Sequence, residues 1–211
     1  VDIPWGSPEW RRHLDGRVAA VLLEPMRDEH PPEDYLFAIQ SRCRDVGALL
    51  VIDEMVTGLR WANGGACEKF GIVPDLACYG KALGNGYPIA AVVGPRRLMK
   101  YAVDGSSTFG GECVGLAAAR ETMRVYERDN VCERMWVLGT RLLKACPALT
   151  GWPVHPRFVA GGGYTDSAVN IPIVQAVARR GHLVHPAGFN LMYVHTEEDV
   201  DALAVAINAG P

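Results

Sequence analysis

The 211 residues are 49% hydrophobic and carry 21 basic against 24 acidic side chains, a net charge of −3 with histidine neutral. That balance, without a run of lysine or arginine, speaks against a nucleic-acid partner, and no apolar stretch approaches the roughly 20 residues of a membrane span. The length predicts one sizeable core, or one domain with a small satellite.

The opening, VDIPWGSPEW, has neither the charged nor the apolar region of a signal peptide. Cys43, Cys67, Cys78, Cys113, Cys132 and Cys146 form no CxxC pair and no metal spacing. The expectation is reduced thiols in a cytoplasmic protein without a metal site. VAAVLLEP (residues 18–25) predicts a buried strand that ends at Glu24, with Pro25 stopping the ladder. Residues 32–46 begin with proline and acids and set Tyr35, Leu36, Ile39, Cys43 and Val46 at helical spacing, and Gly47 ends that helix.

Two short apolar runs follow, residues 48–52 and 76–79, with the length and β-branched content of buried parallel strands. The first delivers Asp53 and Glu54 at its carboxyl end and the second delivers Gly80 and Lys81, where open α/β sheets place their ligands. The 28 residues from Asp53 to Lys81 suffice for the crossover that neighbouring parallel strands require. A lysine amine forms a Schiff base with an aldehyde cofactor, and a buried aspartate keeps a pyridine nitrogen protonated. Pyridoxal phosphate chemistry needs both groups. Taken alone, the pair also fits a surface salt bridge, and Lys81 a surface lysine in a glycine-rich loop.

Residues 89–94 predict a further strand and residues 95–101 a short helix. VDGSSTFGGE (residues 103–112) is rich in hydroxyls and glycine ahead of a long helical stretch. It suits either a phosphate at a helix start or a helix-capping turn formed by Ser106, Ser107 and Thr108. Residues 112 to about 145 predict one long helix, or two in sequence, and Pro147, Gly151 and Pro153 mark a boundary. The remainder, with helices near 166–180 and 197–208, reads as a small α/β domain. Thr196 is expected to cap the last helix, whose first turn holds Glu197, Glu198 and Asp199. His195 is expected to be structural, and His155, His182 and His185 lack metal spacing.

In order and spacing, DEMVTGLR, EKFGIVPDL, GKALGNGYPIAAVVG, STFGGE and HTEEDVDAL resemble the class III pyridoxal-phosphate-dependent aminotransferases. Within that class the likeness is greatest to the glutamate-1-semialdehyde 2,1-aminomutase branch. The resemblance implies an α/β architecture, the fold type I of pyridoxal-phosphate-dependent transferases. A partial large domain with a mainly parallel sheet would occupy residues 1–125, and a connecting helix with a small C-terminal domain residues 126–211. It implies pyridoxal 5'-phosphate as cofactor and a homodimer. The reaction implied is aminotransfer or intramolecular aminomutation on a small amino acid, amino sugar or amino-aldehyde.

By the same resemblance, Lys81 carries the cofactor as a Schiff base and moves the proton, and Asp53 pairs with the ring nitrogen. Met55 lies against the ring, and Thr108, with Ser107 as the lesser candidate, reaches the phosphate of the neighbouring subunit's cofactor. Glu24 belongs to an EP pair that borders the site. It either orients water or a substrate amine, or is a strand-end carboxylate paired to a base. Val56 stands where the ornithine and 4-aminobutyrate branch has a glutamine, which favours the aminomutase branch. Glu112 and Cys113 replace the usual asparagine and proline after the two glycines.

The resemblance runs from about residue 18 to the end, roughly the second half of a class III enzyme. The family's Gly-Ser-Glu-Ala phosphate turn and stacking aromatic precede that point, and the turn does not occur in this chain. Three expectations stand: an incomplete chain of a larger enzyme, a split-enzyme subunit that complements a partner chain, or a non-catalytic protein. Retention of Asp53, Lys81 and Thr108 together speaks against the last. Strands at residues 18–23, 48–52, 76–79 and 89–93 would leave exposed sheet edges, as an interaction subunit would use. A different α/β ligand binder is the remaining rival, without the GxGxxG or GxxxxGK[ST] of its nucleotide versions.

Overall fold

The computed structural model describes residues 1–26, 30–102, 108–158 and 167–211, and divides into two compact units, Val1–Asp129 and Asn130–Pro211. The first unit opens with the short helix α1 (Trp10–His13) and strand β1 (Ala20–Leu23). Helix α2 (Tyr35–Val46) then leads to β2 (Leu49–Asp53), α3 (Gly65–Phe70) to β3 (Leu76–Tyr79), and a single 3-10 turn (Lys81–Leu83) to β4 (Ala91–Val93). Helices α4 (Arg96–Met99) and α5 (Cys113–Arg128) complete it. Among the described residues the strands form one sheet in the order β1-β2-β3-β4, parallel across the first three and antiparallel at β4.

Helix α2 forms because its apolar residues recur on one face. Leu36, Ile39 and Cys43 are buried against Leu50 and Ile52 of β2, together with Trp10, Leu14, Cys67 and Ile72. Gly47 stops the helix as its sequence predicts, its amide bonding the Arg44 carbonyl while that of Ala48 bonds Cys43, a Schellman closure. The crossover through α2 therefore returns the chain parallel to β1, with Leu23 opposite Ile52. β1 departs from the fully buried strand that its letters suggest. It lies at the edge, pairs only with β2 among the described strands, and leaves Leu22 67% exposed. A smaller core of Leu59, Leu83 and Ala119 joins the loop after β2, the 3-10 turn and α5.

The second unit holds α6 (Val131–Ala145), the antiparallel hairpin β5 (Leu149–Trp152) and β6 (His155–Phe158), α7 (Ser167–Arg179) and α8 (Glu197–Asn208). Leu138 and Leu142 from α6, Leu149 and Phe158 from the hairpin, Val177 from α7 and Leu203 and Ile207 from α8 share one core. The turn signals at Gly151 and Pro153 belong to the hairpin. Thr196 caps α8 as expected. Its hydroxyl accepts from the Asp199 amide (3.1 Å), and the Asp199 carboxylate accepts from the Thr196 amide (2.8 Å), a reciprocal capping box.

That box has a measurable acid dependence. The hydrogen bond from the Thr196 backbone holds the Asp199 carboxyl below its usual range, and the Arg141 guanidinium does the same to Asp201. A carboxyl with a depressed folded-state pKa stabilises above its unfolded pKa of about 4 and loses that contribution as pH falls through the folded value. Wild type is therefore expected to melt above Asp199→Asn at neutral pH, with the gap closing as pH drops below that range. Thr196→Ala is expected to lose about 1 kcal/mol in urea denaturation.

Candidate functional site

Asp53 is the last residue of β2 and stands opposite Cys78 of β3, so the two strands end side by side. Beyond that end, the Glu54 amide donates to the Cys78 carbonyl (2.9 Å), keeping the chains in register for one more residue. Asp53 is half-buried, and its Oδ1 accepts from the Met55 amide at 2.9 Å. Oδ2 accepts no hydrogen bond from the described residues. Charge at this position is felt locally: burial first, and then the Asp53 carboxylate, push the Cys78 thiol up.

Lys81 lies three residues past Cys78, exposed, at the start of the 3-10 turn. The turn is closed by the Leu83 amide on the Gly80 carbonyl (3.0 Å) and the Gly84 amide on the Lys81 carbonyl (3.2 Å). Lys81 itself has φ 45°, in the left-handed region. Met55 ties the two strand ends together. A Cβ on the buried Gly80 would stand 2.4 Å from Met55 Sδ and 3.0 Å from its Cε, so the thioether rests where only glycine leaves room. Asp53, Met55, Gly80 and Lys81 are thus one constellation at the carboxyl ends of β2 and β3. Among the described residues Asp53 and Lys81 form no ion pair with each other.

Glu24 follows β1 directly. Leu23 pairs with Ile52, so Glu24 stands level with Asp53, half-buried, its carbonyl accepting from Trp5 Nε1 at 2.9 Å. Thr108 is exposed, and no described hydrogen bond links it to Asp53, Met55 or Lys81. It is not the cap of α5 either. Glu112 fills that position, its carboxylate accepting from the Val114 amide (2.8 Å) and from Gly115. Ser107 lies outside the described residues. Among those described, no group of three or more histidine, cysteine or acidic side chains is arranged to hold a metal ion.

The burial and partners of two neighbours were not legible in the sequence. Glu54, a charged letter next to Asp53, is buried, and burial together with its charge raises the Cys67 thiol far above the ordinary range. Tyr79 donates its hydroxyl to the Gly64 carbonyl (3.0 Å), and burial, followed by the Glu54 charge, pushes its pKa up to about 12. The only signal for either was the run of glycines at 64 and 65, which admits groups that close to the backbone.

The arrangement supplies an unpaired carboxylate oxygen, an accessible primary amine and a polarizable apolar wall, at the strand ends where α/β sheets bind ligands. Comparison with known proteins gives the family of the chain. A profile described as Aminotransferase class-III matches residues 9–202. The acetylornithine aminotransferase of Bacillus subtilis (strain 168) is 32% identical over 202 residues, covering 90% of this chain and 52% of that protein. The glutamate-1-semialdehyde 2,1-aminomutase of Thermomicrobium roseum is 30% identical over 216 residues, covering 88% and 50%. Among solved structures, the FumI protein of Sphingopyxis sp. MTA144, in its PLP internal aldimine form, superposes with a TM-score of 0.84 at 27% identity, over 97% of this chain and 55% of that one. The acetylornithine aminotransferase of Elizabethkingia anophelis gives 0.85 at 25% identity, over 98% and 61%. The chain spans about half the length of the curated relatives it matches. With the family profile matched along most of its length, this chain belongs to the class-III aminotransferases.

Proposed function

We propose that this chain provides the lysine and the ring-facing carboxylate of a pyridoxal 5'-phosphate-dependent enzyme. Its reaction would be aminotransfer or intramolecular aminomutation on a small amino acid, amino sugar or amino-aldehyde. The observation that carries the reading is the joining of Asp53 and Lys81 at adjacent strand ends, with Met55 seated on Gly80 between them. The side chains present fit that cofactor: a free carboxylate oxygen suits a protonated pyridine nitrogen, an exposed amine suits an aldehyde, and a thioether suits a flat aromatic face. When bound, pyridoxal phosphate supplies an aldehyde that condenses with amines and a ring that draws electrons from the substrate carbon.

The chain's own groups have distinct duties in this reading. Asp53 Oδ2 holds a proton on the ring nitrogen, while Oδ1 stays fixed by the Met55 amide. Lys81 Nζ anchors the cofactor and, once displaced by a substrate amine, takes and returns the proton at the substrate carbon. Met55 packs on the ring, and Glu24, level with Asp53, orients water or the substrate amine. Thr108, with Ser107, holds a phosphate across a homodimer. Support for that interface comes from Phe109, Val114 and Leu116, which follow Thr108 in sequence and are exposed by 78%, 57% and 50%. Val56 favours the aminomutase branch over a branch with glutamine there. All six cysteines are free thiols, which supports a reducing, cytoplasmic setting, and no helix among the described residues is long and apolar enough to cross a membrane.

Mixing the purified chain with pyridoxal phosphate tests the proposal. A visible absorbance band is expected, fixed by borohydride, absent in Lys81→Ala, with the added mass located on the Lys81 peptide. A band that survives Lys81→Ala overturns the assignment. No band, even with a candidate partner chain present, favours a non-catalytic interaction subunit instead.

A further inference from the structure

Between Asp53 and Met55 lies a carboxylate with no part in the chemistry above. Glu54 is 1% exposed. Its Oε2 accepts from the Ala66 amide (3.0 Å) and from the Thr57 hydroxyl, and its Oε1 from the Cys67 amide (2.7 Å). Its own backbone is held as well, the amide by the Cys78 carbonyl (2.9 Å) and the carbonyl by the Gly58 amide (2.8 Å). A buried carboxylate is strongly disfavoured unless donors meet it, and here backbone and hydroxyl donors converge on both oxygens. The fold also reserves its space. Gly65 has φ +82°, and a Cβ there would stand 2.4 Å from Glu54 Oε2.

We propose that Glu54 is a positioning residue, whose carboxylate fastens the turn at residues 54–58 to the start of α3 and so fixes the two side chains flanking it. Successive side chains leaving a strand point to opposite faces. A carboxylate held inward therefore directs Asp53, the last residue of β2, to the other face, and the Met55 amide is held to Asp53 Oδ1; both are half-buried against the full burial of Glu54. The duties of those two neighbours rest on the function proposed above, but the fastening itself does not. Freed from its donors, Glu54 would release the backbone that sets the Met55 amide against Asp53 Oδ1.

The test uses the whole chain and two measurements. Without cofactor, hydrogen exchange at the Met55 amide is compared with that at Ile52 inside β2; with cofactor, affinity is read by titrating pyridoxal phosphate. Thr57→Val and Gly65→Ala are expected to speed Met55 exchange at least about tenfold more than Ile52 exchange, and to weaken pyridoxal phosphate binding by about tenfold or more. Thr57→Ser, which keeps the hydroxyl, is expected to behave like wild type in both. Glu54→Gln, with donors turned against its amide, is expected to exceed all three, and if it does not fold the Thr57 pair decides. Exchange at Met55 that merely follows Ile52, or valine and serine variants that behave alike, overturns the proposal. Should wild type take no cofactor, the functional reading fails while the exchange comparison still decides the role of Glu54.

Discussion

Under the function proposed above, Asp53→Asn is expected to slow amino-group transfer by roughly 10²–10³-fold, the scale of losing one preorganised electrostatic contact at a reacting group, with little change in melting temperature. Asparagine keeps an Oδ1 that accepts from the Met55 amide, so the 2.9 Å contact that orders the loop survives. The negative charge beside Oδ2 does not, and a ring nitrogen facing it would lose its proton. An N-methylated pyridoxal phosphate is cationic whatever faces it, and is expected to restore much of the rate in Asp53→Asn while doing little for wild type. Asp53→Ala removes both oxygens and is expected to add a stability loss of about 1 kcal/mol for the missing hydrogen bond. Turnover of Asp53→Asn within a few-fold of wild type, or no rescue by the methylated cofactor, would contradict the assigned role.

Gly80→Ala is expected to be the other severe change, through displacement of a neighbour. The new methyl would meet Met55 Sδ at 2.4 Å and Cε at 3.0 Å, with Ala90 Cβ at 3.6 Å behind it. Methionine is flexible, so the fold yields at about 1 kcal/mol, the low end of overpacking effects. The site does not yield so easily, because a shift of about 1 Å in a positioning group is enough for a loss on the order of 10²-fold in rate. A double-mutant cycle separates the two. In a Met55→Ala background the methyl has room, so the stability penalty of Gly80→Ala should fall to within about 0.5 kcal/mol of zero. Activity should remain low in that background, because the proposed wall against the ring is gone. An unchanged stability penalty would mean that the clash lies elsewhere.

Much of this was readable from letters because the signals were local. The apolar runs at 48–52 and 76–79, each stopped by a functional group, predicted β2, β3 and the neighbouring ends that carry Asp53 and Lys81. The caps of α2 and α8 were explicit in Gly47 and Thr196. What stayed hidden depended on contacts between distant residues. β4 is three residues long and antiparallel, and nothing in AVV fixes a direction; that comes from pairing with β3. Glu112 as the cap of α5 was obscured by the serine and threonine just before it, which are stronger capping letters. The letters place Glu54 beside Asp53 at a strand end, but its burial shows only once Thr57, Ala66 and Cys67 are seen to surround it. The hairpin at Leu149–Trp152 and His155–Phe158 read as a boundary, because tight turns and linkers use the same proline and glycine.

The backbone of Lys81 sits at φ 45°, where a side chain crowds its own carbonyl at a cost of about 1–2 kcal/mol that glycine does not bear. Directed evolution for heat resistance would therefore reward glycine at this position, and the winners would be robust proteins stripped of their amine. Any thermostabilising campaign on this scaffold must hold position 81 constant, or score every survivor for chemistry as well as endurance.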